Sequence, residues 1–157
     1  MFVCKNVTRR CFSTLLVVAL LIALSAMSFA TLGENEGSVK ADQAQMRASL
    51  RTVRASTHSV HELQTPAGHV IREYVSPSGT VFGVAWQGPS KPDLKQLLGS
   101  HFEELQPEAP TTRVRRGPVV VRQPGIVFEM GGHMRAFAGR AYVPQLLPAG
   151  VAPEAIK

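Results

Sequence analysis

Two short segments in the middle of the chain constrain its fold more than any other feature. Thr65-Pro66-Ala67-Gly68 and Ser76-Pro77-Ser78-Gly79 repeat one pattern of hydroxyl residue, proline, small residue and glycine. Proline presets φ for the first turn position, and glycine accepts the left-handed conformation that closes the loop. A type I turn followed by such a glycine is a standard three-residue hairpin connection. Two in succession predict a three-stranded antiparallel meander over about 57–65, 69–76 and 80–87.

The loop geometry also fixes a register. Thr65 is expected opposite His69, and counting outward places Glu62 opposite Arg72, His61 opposite Glu73 and Val60 opposite Tyr74. In the second hairpin Ser76 is expected opposite Thr80, Tyr74 opposite Phe82, Arg72 opposite Val84 and Val70 opposite Trp86. Because strand side chains alternate between faces, one face collects Val60, Val70, Tyr74, Phe82, Val84 and Trp86 and is expected to be the core. The Glu62–Arg72 pair lies on it, at its rim. The other face, with His61, His69, Ile71, Glu73 and Val75, is mixed in character.

The flanking segments complete the outline. In the polar stretch 31–56, Val39, Met46, Leu50 and Val53 recur at helical spacing beside Arg47, Arg51 and Arg54, which reads as a lead-in with a short helix. No aromatic residue anchors its apolar side, so the arginines read as a solvated face and membrane-surface contact is not expected. Ser90 and Asp93 resemble a capping box, and Leu94, Leu97, Leu98, Phe102 and Leu105 then recur helically, predicting a helix over about 91–104. A loop with Arg113, Arg115 and Arg116 follows, and this too reads as a solvated charge run. Pro124-Gly125 suits a type II turn between strands 118–123 and 126–130. Gly131-Gly132 signals a further hairpin into a strand over about 133–142. The predicted architecture is α+β: an antiparallel sheet of about six strands in two meanders, with one main helix packed on it.

The first thirty residues carry a different signal. Lys5, Arg9 and Arg10 precede the apolar run Leu15–Leu24, and Ser28-Phe29-Ala30 supplies small residues at the −3 and −1 positions of a cleavage site. This is the pattern of a secretory signal peptide, with the run too short to span a membrane. The expected organisation is 1–30 signal peptide, 31–56 lead-in and 57–157 a single domain, located in the periplasm or the medium. Both cysteines, Cys4 and Cys11, fall in the leader, so disulfides, thiol catalysis and thiolate metal sites are not expected in the remainder. Removing the leader's three basic residues leaves 14 Lys and Arg against 11 Asp and Glu, a net of +3. That excess is too mild to point to nucleic acid.

Several longer segments carry a family resemblance. They are Arg72-Glu73-Tyr74-Val75-Ser76, Val84-Ala85-Trp86-Gln87-Gly88-Pro89, Asp93-Leu94-Lys95-Gln96-Leu97-Leu98-Gly99, Gly132-His133-Met134-Arg135-Ala136-Phe137, Gly139-Arg140-Ala141-Tyr142-Val143-Pro144 and Leu147-Pro148-Ala149-Gly150. From about residue 57 to the end, and in its leader and Thr31-Leu32-Gly33 start, the chain resembles the small exported proteobacterial proteins grouped as domain of unknown function 2844. The resemblance implies export and one small domain, supplies no catalytic residue, and hints at an exported or envelope protein as partner.

Candidate chemistry is sparse. His61 and His69 share a face of the first hairpin with Glu73 opposite His61, a residue set suited to zinc or a similar ion. Against this, His69 faces Thr65 rather than His61, and an exposed polar patch explains the same residues. Paired carboxylates for hydrolysis could be drawn from Glu62, Glu73 and Glu129. Asp42 and Asp93, the two aspartates after the leader, each sit near an expected helix start, where capping explains them. Gly131-Gly132-His133-Met134-Arg135 is the most distinctive segment, with His133 and Arg135 expected on one side of the strand that follows, able to meet a carboxylate or phosphate. The reading is a non-catalytic binding or accessory module needing no cofactor, against the alternative of a metal-dependent or carboxylate-based envelope hydrolase.

Overall fold

A computed structural model describes residues 32–105 and 117–157. The expected leader and the Arg113, Arg115 and Arg116 cluster lie outside the described residues. The elements are α1 (Gly37–Met46), β1 (Ser49–Arg54), β2 (Ser59–Gln64), β3 (Val70–Val75), β4 (Val81–Gly88), α2 (Leu94–Leu98), α3 (His101–Glu104), β5 (Val119–Arg122), β6 (Val127–His133) and β7 (Ala136–Tyr142). All seven strands join one antiparallel sheet in the order β1-β2-β3-β4-β7-β6-β5. The two expected meanders meet where β4 pairs with β7. Among the described residues no helix is long and apolar enough to cross a membrane.

Both proline–glycine turns close as expected. Thr65 N donates to His69 O at 2.9 Å and Ser76 N to Thr80 O at 2.8 Å, with Gly68 and Gly79 left-handed at φ 83° and 82°. The first hairpin keeps the expected register throughout, with Val60, His61 and Glu62 opposite Tyr74, Glu73 and Arg72. The second does not. Val75 faces Val81, but Tyr74 faces Gly83, so Phe82 is an extra residue in β4. One inserted residue shifts every later pair by one and exchanges the faces. Arg72 therefore faces Ala85, and Trp86 faces Ile71 rather than Val70.

This bulge divides the expected core face in two. Val84 and Trp86 join Leu63, Ile71, Phe128 and Ala141 on one side of the sheet, beneath Leu97 and Leu98 of α2. Tyr74 and Phe82 stay on the other side with Ala85, Val127, Tyr142 and Ile156. The face predicted to be mixed is thus the main core, and Trp86 stacks against Phe128 at 5.7 Å, away from Tyr74 and Phe82. From Val81 to Trp86, β4 is buried on both faces.

The lead-in and the tail account for that double burial. Residues 32–36 run along the start of β4, with Gly33 N bonded to Val81 O and Val81 N to Glu34 O, both at 2.8 Å. Leu32 and Val39 are buried, so this stretch packs onto the sheet. The expected helical stripe ends at Met46. Leu50 and Val53 lie instead on edge strand β1, where β-branched Thr52 and Val53 suit an extended chain and β2 supplies the partner. The single expected helix over 91–104 is two short ones, broken at Gly99, whose φ is 52°. Asp93, not Ser90, caps the first by accepting from Gln96 N at 3.1 Å. Gly125 does not take the left-handed conformation of a type II turn.

The tail, which shows little regular pattern in sequence, straps the second core. Tyr74 Oη donates to the main-chain oxygen of Lys157 at 2.8 Å and accepts from its N–H at 3.1 Å. Arg140 donates to Pro153 O at 2.9 Å, and the Ile156 side chain lies buried over Gly83.

Gly139 tests the packing. It lies opposite Trp86, and a Cβ there would meet the indole ring and come within 2.7 Å of Glu129 O. Gly139→Ala is expected to destabilise the domain by about 1–3 kcal/mol through overpacking, read from denaturant unfolding with near-ultraviolet circular dichroism reporting the displaced tryptophan.

Candidate functional site

The register carries the expected site residues to different places. His61 and Glu73 are directly opposed on the helix-covered face, so the sheet brings them together. His69 lies four residues along the chain from Glu73, about 13 Å at 3.3 Å per residue. It is engaged elsewhere, with Nε2 at 3.0 Å from Ser90 Oγ and 3.1 Å from Ser90 O. Among the described residues no three of His, Cys, Asp and Glu are grouped to hold a metal ion. The carboxylates separate too. Glu62 is bound by Arg72 at 2.8 Å and Glu129 by Arg140 at 2.8 Å, on the face opposite Glu73. Four strand spacings separate Glu62 from Glu129, about 19 Å, beyond the reach of a glycosidase pair.

The partner that Glu73 does have was hidden in the sequence. Asp42, expected at a helix start, lies inside α1 on its buried face, one turn after Val39. It is only 2 % exposed, and Glu73 is fully buried beneath it. Gln96 Nε2 of α2 donates to Asp42 Oδ1 at 2.6 Å, while Asp42 Oδ2 and both Glu73 oxygens are buried beside each other without a hydrogen-bond partner among the described residues. Three elements thus meet on one polar contact inside an apolar core. Burial pushes the Glu73 carboxyl up to about 9, aided by the nearby Asp42 charge. Burial also raises Asp42, opposed by the hydrogen bond from Gln96. A protonated Glu73 leaves at most one charge in the pair. In this state the Asp42, Gln96 and Glu73 cluster is a structural clasp where α1, α2 and β3 meet. No signal in the sequence distinguishes Asp42 from a capping residue.

His61 extends this polar line outward. Its ring is 5 % exposed, with Nδ1 at 2.9 Å from Thr52 Oγ1 of β1 and Nε2 at 3.1 Å from Glu36 Oε1 at the start of α1. The Glu36 contact has the right distance but not the alignment of a good hydrogen bond.

The glycine-rich segment is built differently from expectation. Gly131 and Gly132 lie within β6, and the turn is made by Met134 and Arg135. His133 is therefore the last residue of β6, and Arg135 sits in the turn at φ 67°, so the two do not share a side of one strand. Gly132 is held by sterics, since a Cβ there would strike Ala136 O. Met134 is 85 % exposed at the tip. Behind the tip, on the strapped face of the sheet, two depressions of about 580 and 460 Å³ adjoin at Gln87 and Ala138. Arg72 and Arg140 flank the first and Arg135 the second.

The family model for protein of unknown function (DUF2844) matches residues 28–156. The chain belongs to this family. No curated protein and no solved structure matches it.

The clasp predicts a pH dependence. An acid whose folded pKa lies above its unfolded value near 4.5 keeps a proton that the unfolded chain has released. Its contribution is full below about pH 4.5 and is lost as pH rises toward 9. Wild-type melting temperature is expected to fall across that window, with a limiting slope on the order of 1 kcal/mol per pH unit. Glu73→Gln keeps a donor beside Asp42 without a titrating proton. It is expected to flatten the fall, so that the variant gains on the wild type between pH 5 and 9 in thermal unfolding.

Proposed function

We propose that this protein is an exported, non-catalytic binding module of the cell envelope, and that it engages another exported protein through the β6–β7 hairpin end. The leader pattern with its cleavage site near Ala30 supports export, as does a family match that starts at residue 28. The observation that carries the binding reading is Met134. It projects from a tight two-residue turn and joins neither core, while His133 and Arg135 flank it. Methionine and arginine are enriched where protein partners meet. The adjoining depressions, floored by Ala138, Gly131 and Gln87, extend the accessible surface behind the tip. Burial of Asp42 and Glu73 favours this reading over carboxylate hydrolysis, because a general acid or base must come within hydrogen-bond reach of its substrate.

Cross-linking in intact cells tests the proposal. A photo-reactive residue replacing Met134 is expected to capture one defined exported protein, identified by mass spectrometry, and the same residue replacing Ser78 on another hairpin is not. Combining the Met134 probe with His133→Ala and Arg135→Ala is expected to abolish the adduct. Equal capture from both positions, or an adduct indifferent to His133 and Arg135, overturns the assignment.

A further inference from the structure

A second accessible feature lies at the other end of the molecule and is independent of the hairpin reading. Between α1 and the β1–β2 edge is a partly open cleft of about 700 Å³, lined by Glu36, Val39, Lys40, Thr52, Arg54 and His61. His61 supplies a nine-tenths buried imidazole on its wall, and Thr52 fixes the ring through Nδ1 at 2.9 Å. The Nε2 atom has no aligned hydrogen-bond partner. It is covered by the carboxylate of Glu36 at 3.1 Å, on a side chain that is 55 % exposed. Lys40 on the helix and Arg54 on β1 bring two cations to the same cleft, and neither forms an ion pair among the described residues.

We infer that this cleft is a binding site for a small carboxylate ligand, with Glu36 as an internal stand-in that the ligand displaces. A carboxylate only accepts hydrogen bonds. Facing one, His61 Nε2 carries the proton and donates, while Nδ1 accepts from the Thr52 hydroxyl. The Glu36 carboxylate therefore marks where an acceptor anion sits. It is not held there by a helix-capping bond, since Asn35 Oδ1 takes the Gly37 N–H instead. A ligand that displaces Glu36 gains His61 as donor and Lys40 and Arg54 as counter-charges, as charge-assisted recognition requires. Val39 and Leu50 give the cleft an apolar side for the ligand's carbon skeleton.

The test is a titration of the protein, as isolated from the producing cell, with succinate at constant ionic strength, followed by the ring nitrogen shifts of His61. Saturable shifts are expected. Glu36→Ala, which removes the stand-in, is expected to bind about two- to fivefold tighter, the range an exposed ion pair represents. Lys40→Gln with Arg54→Gln is expected to bind at least about tenfold weaker. If Glu36→Ala fails to fold, Glu36→Gln, which drops the charge, is expected to move affinity in the same direction. Non-saturating shifts, or an affinity unchanged or weakened by loss of the Glu36 charge, overturn the inference.

Discussion

The extra residue at Phe82 is the constraint on which the rest of the architecture depends. A regular ladder through β3 and β4 would place Tyr74, Phe82 and Trp86 together and leave the opposite face mixed. With the bulge, β4 sends Phe82 into one core and Val84 and Trp86 into the other, so the sheet is buried on both sides along its central strand. Each side then needs a cover. Helices α1 and α2 with Leu32 supply one, and the segment from Leu147 to Ile156 supplies the other. A domain without cysteines in its described part thus gains two layers of apolar contact about a single sheet.

That arrangement forces polar residues into the larger core. His61 and Glu73 share a face with Leu63 and Ile71, and both end up covered by α1. An isolated buried charge would be costly, and the molecule avoids it by keeping Glu73 protonated beside Asp42. Gln96 completes the Asp42 oxygen on one side. Helix α1 lacks the apolar stripe that usually seats a helix. Val39 is its one buried apolar residue, and the Asp42–Gln96 hydrogen bond provides a specific attachment that apolar area does not.

What was legible in the sequence was local. Proline and glycine at fixed offsets determine their own turn geometry, so both hairpin loops, the first register and the Glu62–Arg72 pair follow directly from spacing. The bulge at Phe82 leaves no such mark, because no glycine or proline is needed for it and its advantage lies in the tertiary burial of an aromatic ring. Asp42 reads as a cap because aspartate near a helix start is ordinarily one. Its hydrogen-bond partner, Gln96, is 54 positions away, in α2. The Gly131-Gly132 pair reads as a turn on composition. Backbone crowding against Ala136 explains Gly132 instead, and the turn falls three residues later, at Met134 and Arg135. Edge strand β1 was missed because four apolar residues at helical spacing do not exclude a helix ending after the first two.

The strap formed by the tail has a consequence for how the chain is made. Tyr74 and Arg140 are satisfied by main-chain oxygens of residues 153–157, which are synthesised after all seven strands. Until those residues emerge, Phe82 and Tyr142 have no lid and the underside of the sheet stays wet. The second layer of the fold can therefore seal only after the tail has been laid across it.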